Sequence, residues 1–253
     1  MKKTVIIILS VLLMLCMASC DNKAVQETTD SKENFESALY EIGDIILSDG
    51  SVIKEAALTS LDSGNVPIAV IAGFWEDGTA FGVGVHRSDA PLQWAADDSA
   101  GYAAGFADTV CTQEADLSFS GDKNGSDNWN MICSVDGEAS ENTEANYPAF
   151  HFVNAYAQTY ALSGDYASGW YMPSIDELSS IYQNRKAVNN SLQKIYTLDN
   201  HAAMDGLGTN WYWSSSQSGN EDDYVWFVHY LNGYAGECPK NFTNVHALAI
   251  RIF

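Results

Sequence analysis

Basic residues are scarce: 12 lysines and arginines face 33 aspartates and glutamates in 253 residues, for a formal charge of −21. They are scattered singly apart from Arg185-Lys186. A phosphate backbone needs clustered positive charge, so nucleic acid is excluded as a partner, and the acidic balance reads as a solvated surface. Catalytic and metal-binding patterns are missing too. There is no H-E-x-x-H helix, no G-x-S-x-G elbow and no C-x-x-C pair. His86, His151, His201, His229 and His246 show no ligand spacing and read as structural or surface side chains, so no metal and no cofactor is expected. Glu221-Asp222-Asp223 has no apolar neighbours to raise one carboxylate for acid catalysis and reads as a solvated loop. Asp122 to Asp127 lacks the glycine spacing of a calcium loop and reads as a turn.

Long apolar runs are also rare. The one at the start, residues 4–17, is shorter than the roughly 20 residues of a membrane span. It follows Met1-Lys2-Lys3 and precedes Ala18-Ser19-Cys20, the order of an export signal that is removed rather than folded. The segment resembles the lipobox of bacterial lipoproteins, which implies cleavage after residue 19 and a diacylglycerol on Cys20. Residues 20–36 are polar without periodicity and read as a flexible tether. The expected location is the bacterial cell envelope, at the outer membrane surface, with the membrane reached through the lipid anchor. Residues 37–253 form one domain of acceptable size. Beyond Cys16 and Cys20 an odd number of cysteines remains, Cys111, Cys133 and Cys238, and a Cys111–Cys133 pair stays open.

Periodicity predicts strands at 42–47, 68–75 and 80–86, the last two joined across Glu76-Asp77-Gly78. Residues 97–143, rich in Gly, Ser, Asp and Asn, read as an irregular surface region. A helix opens at Tyr147-Pro148, with Ala149, Val153, Tyr156 and Tyr160 on one face. A second opens on the S-x-x-E box of Ser174 and Glu177, and a short third covers 188–196. Strands return at 211–216, 224–231 and 246–253, with Asn232-Gly233 as a type I′ turn. Alternation places Tyr224, Trp226, Val228 and Tyr230 on one face and Val225, Phe227, His229 and Leu231 on the other, one face packed and one offered to solvent.

Gly169-Trp170-Tyr171-Met172-Pro173-Ser174-Ile175-Asp176-Glu177-Leu178, followed by Trp211-Tyr212-Trp213-Ser214-Ser215-Ser216, resembles the GWRLPTxxEL and YWSS signature of bacterial domains related to the formylglycine-generating enzyme. That group is a branch of the C-type lectin fold. The likeness runs through Val225-Trp226, Asn232-Gly233 and Ala249-Ile250-Arg251. It implies an α+β domain, antiparallel strands flanked by two main helices. The layout is similar to the spirochaete variable lipoproteins that are targets of diversity-generating retroelements, which implies a variable region over about 211–253 and a protein or glycan ligand held by the C-terminal strands and loops.

Formylglycine generators need a reactive cysteine pair in that part, where only Cys238 stands, so the chain is read as a non-enzymatic binder. A modifying enzyme of that branch and a structural envelope protein are the alternatives. The calcium triplets of animal lectins are missing, with only Asn128-Trp129-Asn130 near them. Trp213 and Trp226 read as scaffold. The candidate ligand-binding residues are Asp223, Phe227, His229, Tyr234, Cys238, Asn241, Phe242 and His246, a mix of aromatic and polar side chains suited to recognition. Phe227 either faces the ligand or packs under a neighbouring loop. Randomising the adenines of an AAC codon reaches Phe227, His229, Tyr234, Cys238, Phe242 and His246 but not Trp226, Glu237 or Lys240.

Overall fold

The computed structural model describes residues 39–253. The expected signal segment, the tether and Cys20 lie outside the described residues. In chain order the strands and helices begin with β1 (Ile45–Leu47), β2 (Val52–Ile53), β3 (Pro67–Phe74), β4 (Ala80–Arg87), β5 (Val110–Ala115) and β6 (Ser118–Gly121). Four helices follow, α1 (Asn128–Val135), α2 (Thr143–Asn146), α3 (Pro148–Asn154) and α4 (Tyr156–Thr159), then β7 (Trp170–Tyr171), α5 (Ile175–Gln183) and α6 (Arg185–Leu198). The chain closes with β8 (Trp211–Ser218), β9 (Tyr224–His229), β10 (Tyr234–Pro239) and β11 (Leu248–Ile252). This is an α+β fold with two sheets. A six-stranded antiparallel sheet has the order β2-β1-β3-β4-β11-β7, and a five-stranded one has the order β10-β9-β8-β5-β6, antiparallel except between β5 and β8.

Local chemistry explains the firmest elements. In the β3–β4 turn Asp77 Oδ1 accepts the Thr79 N–H at 2.9 Å, and Gly78 takes φ +86°. Pro148 occupies the first turn of α3, where no amide is needed. The α5 box closes both ways: Ser174 Oγ accepts the Glu177 N–H at 3.2 Å, and Glu177 Oε2 accepts the Ser174 N–H at 2.8 Å.

Two apolar clusters result. One gathers Val70, Val83, Leu178, Ile181, Leu192, Tyr212, Trp226, Val228 and Tyr230, so α5 lies against both sheets and α6 against the first. The other gathers Ile71, Trp94, Phe106, Phe150, Tyr156, Trp213, Val225 and Phe227. The alternation expected along β9 is therefore observed, but both of its faces pack. The reading of 97–143 as irregular surface is corrected as well. Phe106, Cys111, Phe119 and Ile132 are buried there, β5 pairs with β8, and Phe119 meets Trp226 edge-on at 5.2 Å. Its polar residues form turns between a few apolar anchors, and that spacing carries no periodic signal.

The β9–β10 connection also departs from expectation. His229 pairs with Tyr234, leaving a four-residue loop in which only Gly233 has positive φ, at +77°. A type I′ turn needs two such residues. Tyr230 is instead drawn inward, its hydroxyl donating to the Leu178 carbonyl at 2.9 Å and its ring against Tyr182 and Tyr212.

Candidate binding surface

Strand register arranges the site in rows. Trp211, His229 and Tyr234 stand opposite one another on β8, β9 and β10, and Trp213, Phe227 and Gly236 form the next row. Opposed residues share a face, so these rings can touch. The Trp211 indole stacks on Phe227 with centroids 4.6 Å apart and an interplanar angle of 2°. It also meets His229 at 5.1 Å and Phe242 at 5.9 Å. Tyr234 is edge-on to Phe227 at 6.1 Å and lies over Gly236, where a Cβ would fall 2.5 Å from its ring.

Tyr234 is 59% exposed and Phe242 37%, with Leu231 beside them at 63%. Trp211 and His229 are half-buried. Four of the eight candidates, Phe227, His229, Tyr234 and Phe242, thus belong to one aromatic cluster centred on Trp211.

Phe227 and Cys238 need correction as solvent-facing residues, being only 3% and 8% exposed. Phe227 is roofed by Trp211 and Tyr234. Cys238 faces the cluster beneath the 88–106 segment, and burial pushes its thiol up to about 12. Cys111, whose thiol is also pushed up to about 12 by burial, and Cys133 are free, so they form no disulfide.

The other three candidates stand outside the cluster. Asp223 sits at the far end of β9, its carbonyl accepting the Lys240 N–H at 2.9 Å, and Asn241 has its carbonyl held by Gln93 Nε2 at 3.0 Å. His246 is bonded through its backbone to Trp211 and Trp213, but its ring turns away, Nδ1 lying 2.9 Å from the Ser88 carbonyl. A carbonyl only accepts, so Nδ1 carries the proton, and burial lowers the ring's pKa.

Two residues overlooked in the sequence organise this end. Trp211 had parity with Trp213 as a signal, but only the register with His229 shows what it touches. Lys240 is fully buried, its Nζ donating to the carbonyls of Gly101 at 3.0 Å and Ala104 at 2.7 Å. Burial lowers it to about 7, with Asp222 and Asp223 opposing that shift. Lys240 thereby holds the 88–106 segment over the Val225 end of the sheet, where Trp94 Nε1 also donates to the Ser214 carbonyl at 2.9 Å. The Trp211 end stays uncovered.

The Asp122–Asp127 loop is the expected turn: Asp122 Oδ1 accepts the Asn124 N–H and Asn124 Oδ1 accepts the Ser126 N–H. Among the described residues no group of three or more His, Cys, Asp or Glu is placed to hold a metal.

No protein-family model and no curated protein matches the chain. Among solved structures it is similar to a fimbrial protein from Bacteroides ovatus ATCC 8483, with a TM-score of 0.59 and 16% identity. The match covers 85% of this chain and 49% of that one, so the chain spans about half the length of its neighbour. At that identity the likeness is one of fold.

Proposed function

We propose that this chain is a lipid-anchored binding protein of the bacterial cell surface, with a C-type-lectin-like domain of the formylglycine-generator-related branch, that docks a protein or glycan on the Trp211 cluster. The observation that carries the reading is the cross-strand row Trp211, His229 and Tyr234, extended by Phe242 and left open at the end of β9, which is buried on both faces from Val225 to Val228. Aromatic side chains give large contact area for little lost rotamer entropy, and a rigid sheet holds them in place before the partner arrives. Asn241, beside Phe242 in the chain, supplies a polar margin. Cys238 is the one thiol of the C-terminal strands, and its burial disfavours the thiolate that formylglycine-type chemistry needs.

The diversity-generating retroelement reading gains support from how the roles divide. Trp226, Glu237 and Lys240, which adenine randomisation of an AAC codon does not reach, are tied into the scaffold. Trp226 Nε1 donates to the Cys111 carbonyl at 3.0 Å, and Glu237 accepts from Ser218 Oγ at 2.6 Å. The exposed Tyr234 and Phe242 are reachable, as are the buried Phe227 and Cys238, which fall outside that division. A near-copy of the 3′ end of the gene beside a reverse transcriptase, differing at the adenines of these codons, is the expected genomic arrangement; a copy without adenine bias would sink it.

Binding itself is tested by screening the protein against envelope proteins and glycans. Tyr234→Ala and Phe242→Ala should each weaken any interaction by about tenfold or more, the scale of an aromatic anchor. Unchanged affinity in both variants would overturn the assignment of this surface. The likeness to a fimbrial protein favours a structural role in a surface assembly as the second reading, and there the same substitutions would leave assembly unaltered.

A further inference from the structure

A cleft of about 330 Å³ lies away from the Trp211 cluster, between the β3–β4 turn, the 122–126 loop and the start of α5. Its floor is aromatic. Phe81 is buried over Gly73, where a Cβ would sit 2.1 Å from the ring, while Phe74 is 38% exposed and Trp75 half-buried. Trp75 is locked in place by its indole N–H, which donates to Glu177 Oε1 at 2.9 Å. The rim and walls are acidic: Glu76, Asp77, Asp176 and Glu177 line the cleft against one cation, Lys123, whose Nζ lies 3.3 Å from Glu76. Asp176 is half-buried and has neither a hydrogen-bond partner nor an ion-pair partner among the described residues. Asp176 and Ser180 share one face of α5, one turn apart, and both look into the cleft.

An aromatic floor beneath one unpaired carboxylate, that of Asp176, is the complement of a positive charge on an apolar body. The ring faces attract the cation, and the half-buried Asp176 carboxylate neutralises it. The volume suits a small molecule. We propose that this cleft binds a small organic ammonium ion, with its alkyl part against Phe74, Trp75 and Phe81 and its charge beside Asp176. This site is independent of the Trp211 surface and does not rest on the function proposed for it.

The probe is n-butylammonium, titrated into the full chain against n-butanol and butyrate as neutral and anionic matches, with the Trp75 indole N–H followed by NMR. Butylammonium should shift that signal saturably while the other two leave it in place. Asp176→Asn should weaken binding by about tenfold, the size of one half-buried charge contact. Lys123→Gln, which removes the competing cation from an exposed position, should tighten it by about threefold. The two variants act in opposite directions, so a folding defect in one does not imitate the result. Butanol binding as well as butylammonium, affinities indifferent to both variants, or no shift at tens of millimolar would each overturn the proposal.

Discussion

The Glu177 carboxylate accepts four hydrogen bonds, from Trp75 Nε1, the Tyr171 hydroxyl and the Gly125 and Ser174 amides, yet burial still pushes it up to about 7. Its ordinary value is 4.5, so between about 4.5 and 7 the folded chain holds more protons at this site than the unfolded one. The sign follows: this residue's contribution to stability falls as pH rises through that window and is most favourable at its acid end. Glu177→Gln should remove that slope from urea midpoints measured between pH 4.5 and 7.5. It should also lower stability by about 2–4 kcal/mol, because an amide nitrogen would face N–H donors that now have an acceptor. A slope unchanged by the substitution would place the titration elsewhere. The residue was legible in the sequence only as a helix cap; its ties to Trp75 and Gly125 are contacts across the fold that no local pattern announces.

At the scale of elements, α5 and the β9–β10 hairpin make different demands on their sequences. The α5 cap is local, and Ser174→Ala should cost about 1 kcal/mol, the usual value of such a cap, read as a shift in thermal midpoint. Gly233 is held by more than its φ of +77°, since a Cβ there would fall 2.4 Å from the Tyr182 ring on α5. Gly233→Ala should therefore cost more than the cap substitution, about 2–3 kcal/mol, with hydrogen exchange accelerated first in β9 and β10. Equal costs would show that Tyr182 yields without strain. Caps, the Asp77-Gly78 turn and the strand alternation were all readable in advance, because neighbours in sequence determine them. The four-residue form of the β9–β10 loop was not, because Tyr230 leaves the strand for a partner on α5.

Across the whole molecule, the 88–106 segment decides how much of the second sheet is available to a partner. Its hold on the sheet runs through Lys240, whose ammonium is buried under two carbonyls and lies 4.5 Å from the Phe106 ring and 5.2 Å from that of Trp94. Lys240→Met preserves length and apolar character but strands both carbonyls, so limited proteolysis should cut within 98–106 well before the rest of the domain. A cleavage pattern like that of the parent would show that the segment's other bonds, among them those of Leu92, Trp94 and Ala95 to Val245 and Lys240, hold it without the ammonium. With its folded value near 7 against an ordinary 10.5, Lys240 also adds stability that grows as pH rises from about 7 to 10.5, and the Met variant should lack that rise.

The amino-acid sequence by itself determined the pieces settled by near neighbours, the turns and caps and the two-faced alternation of β9, while the α+β class was what the likeness of its 169–178 and 211–216 segments implied. The placement of Trp213 and Trp226 as scaffold followed from that likeness and from the usual burial of an aromatic side chain. Tertiary structure alone decided that both faces of β9 pack and that the strand meets water only at its Tyr224 and His229 ends. Phe227 and Cys238 look like surface candidates until Trp211, Tyr234 and the 88–106 segment close over them, while His229, Tyr234 and Phe242 stay at the margin where that cover ends. Side-chain direction is a property of a strand's own backbone, whereas exposure depends on whatever distant chain packs above it, and period alone carries no record of that.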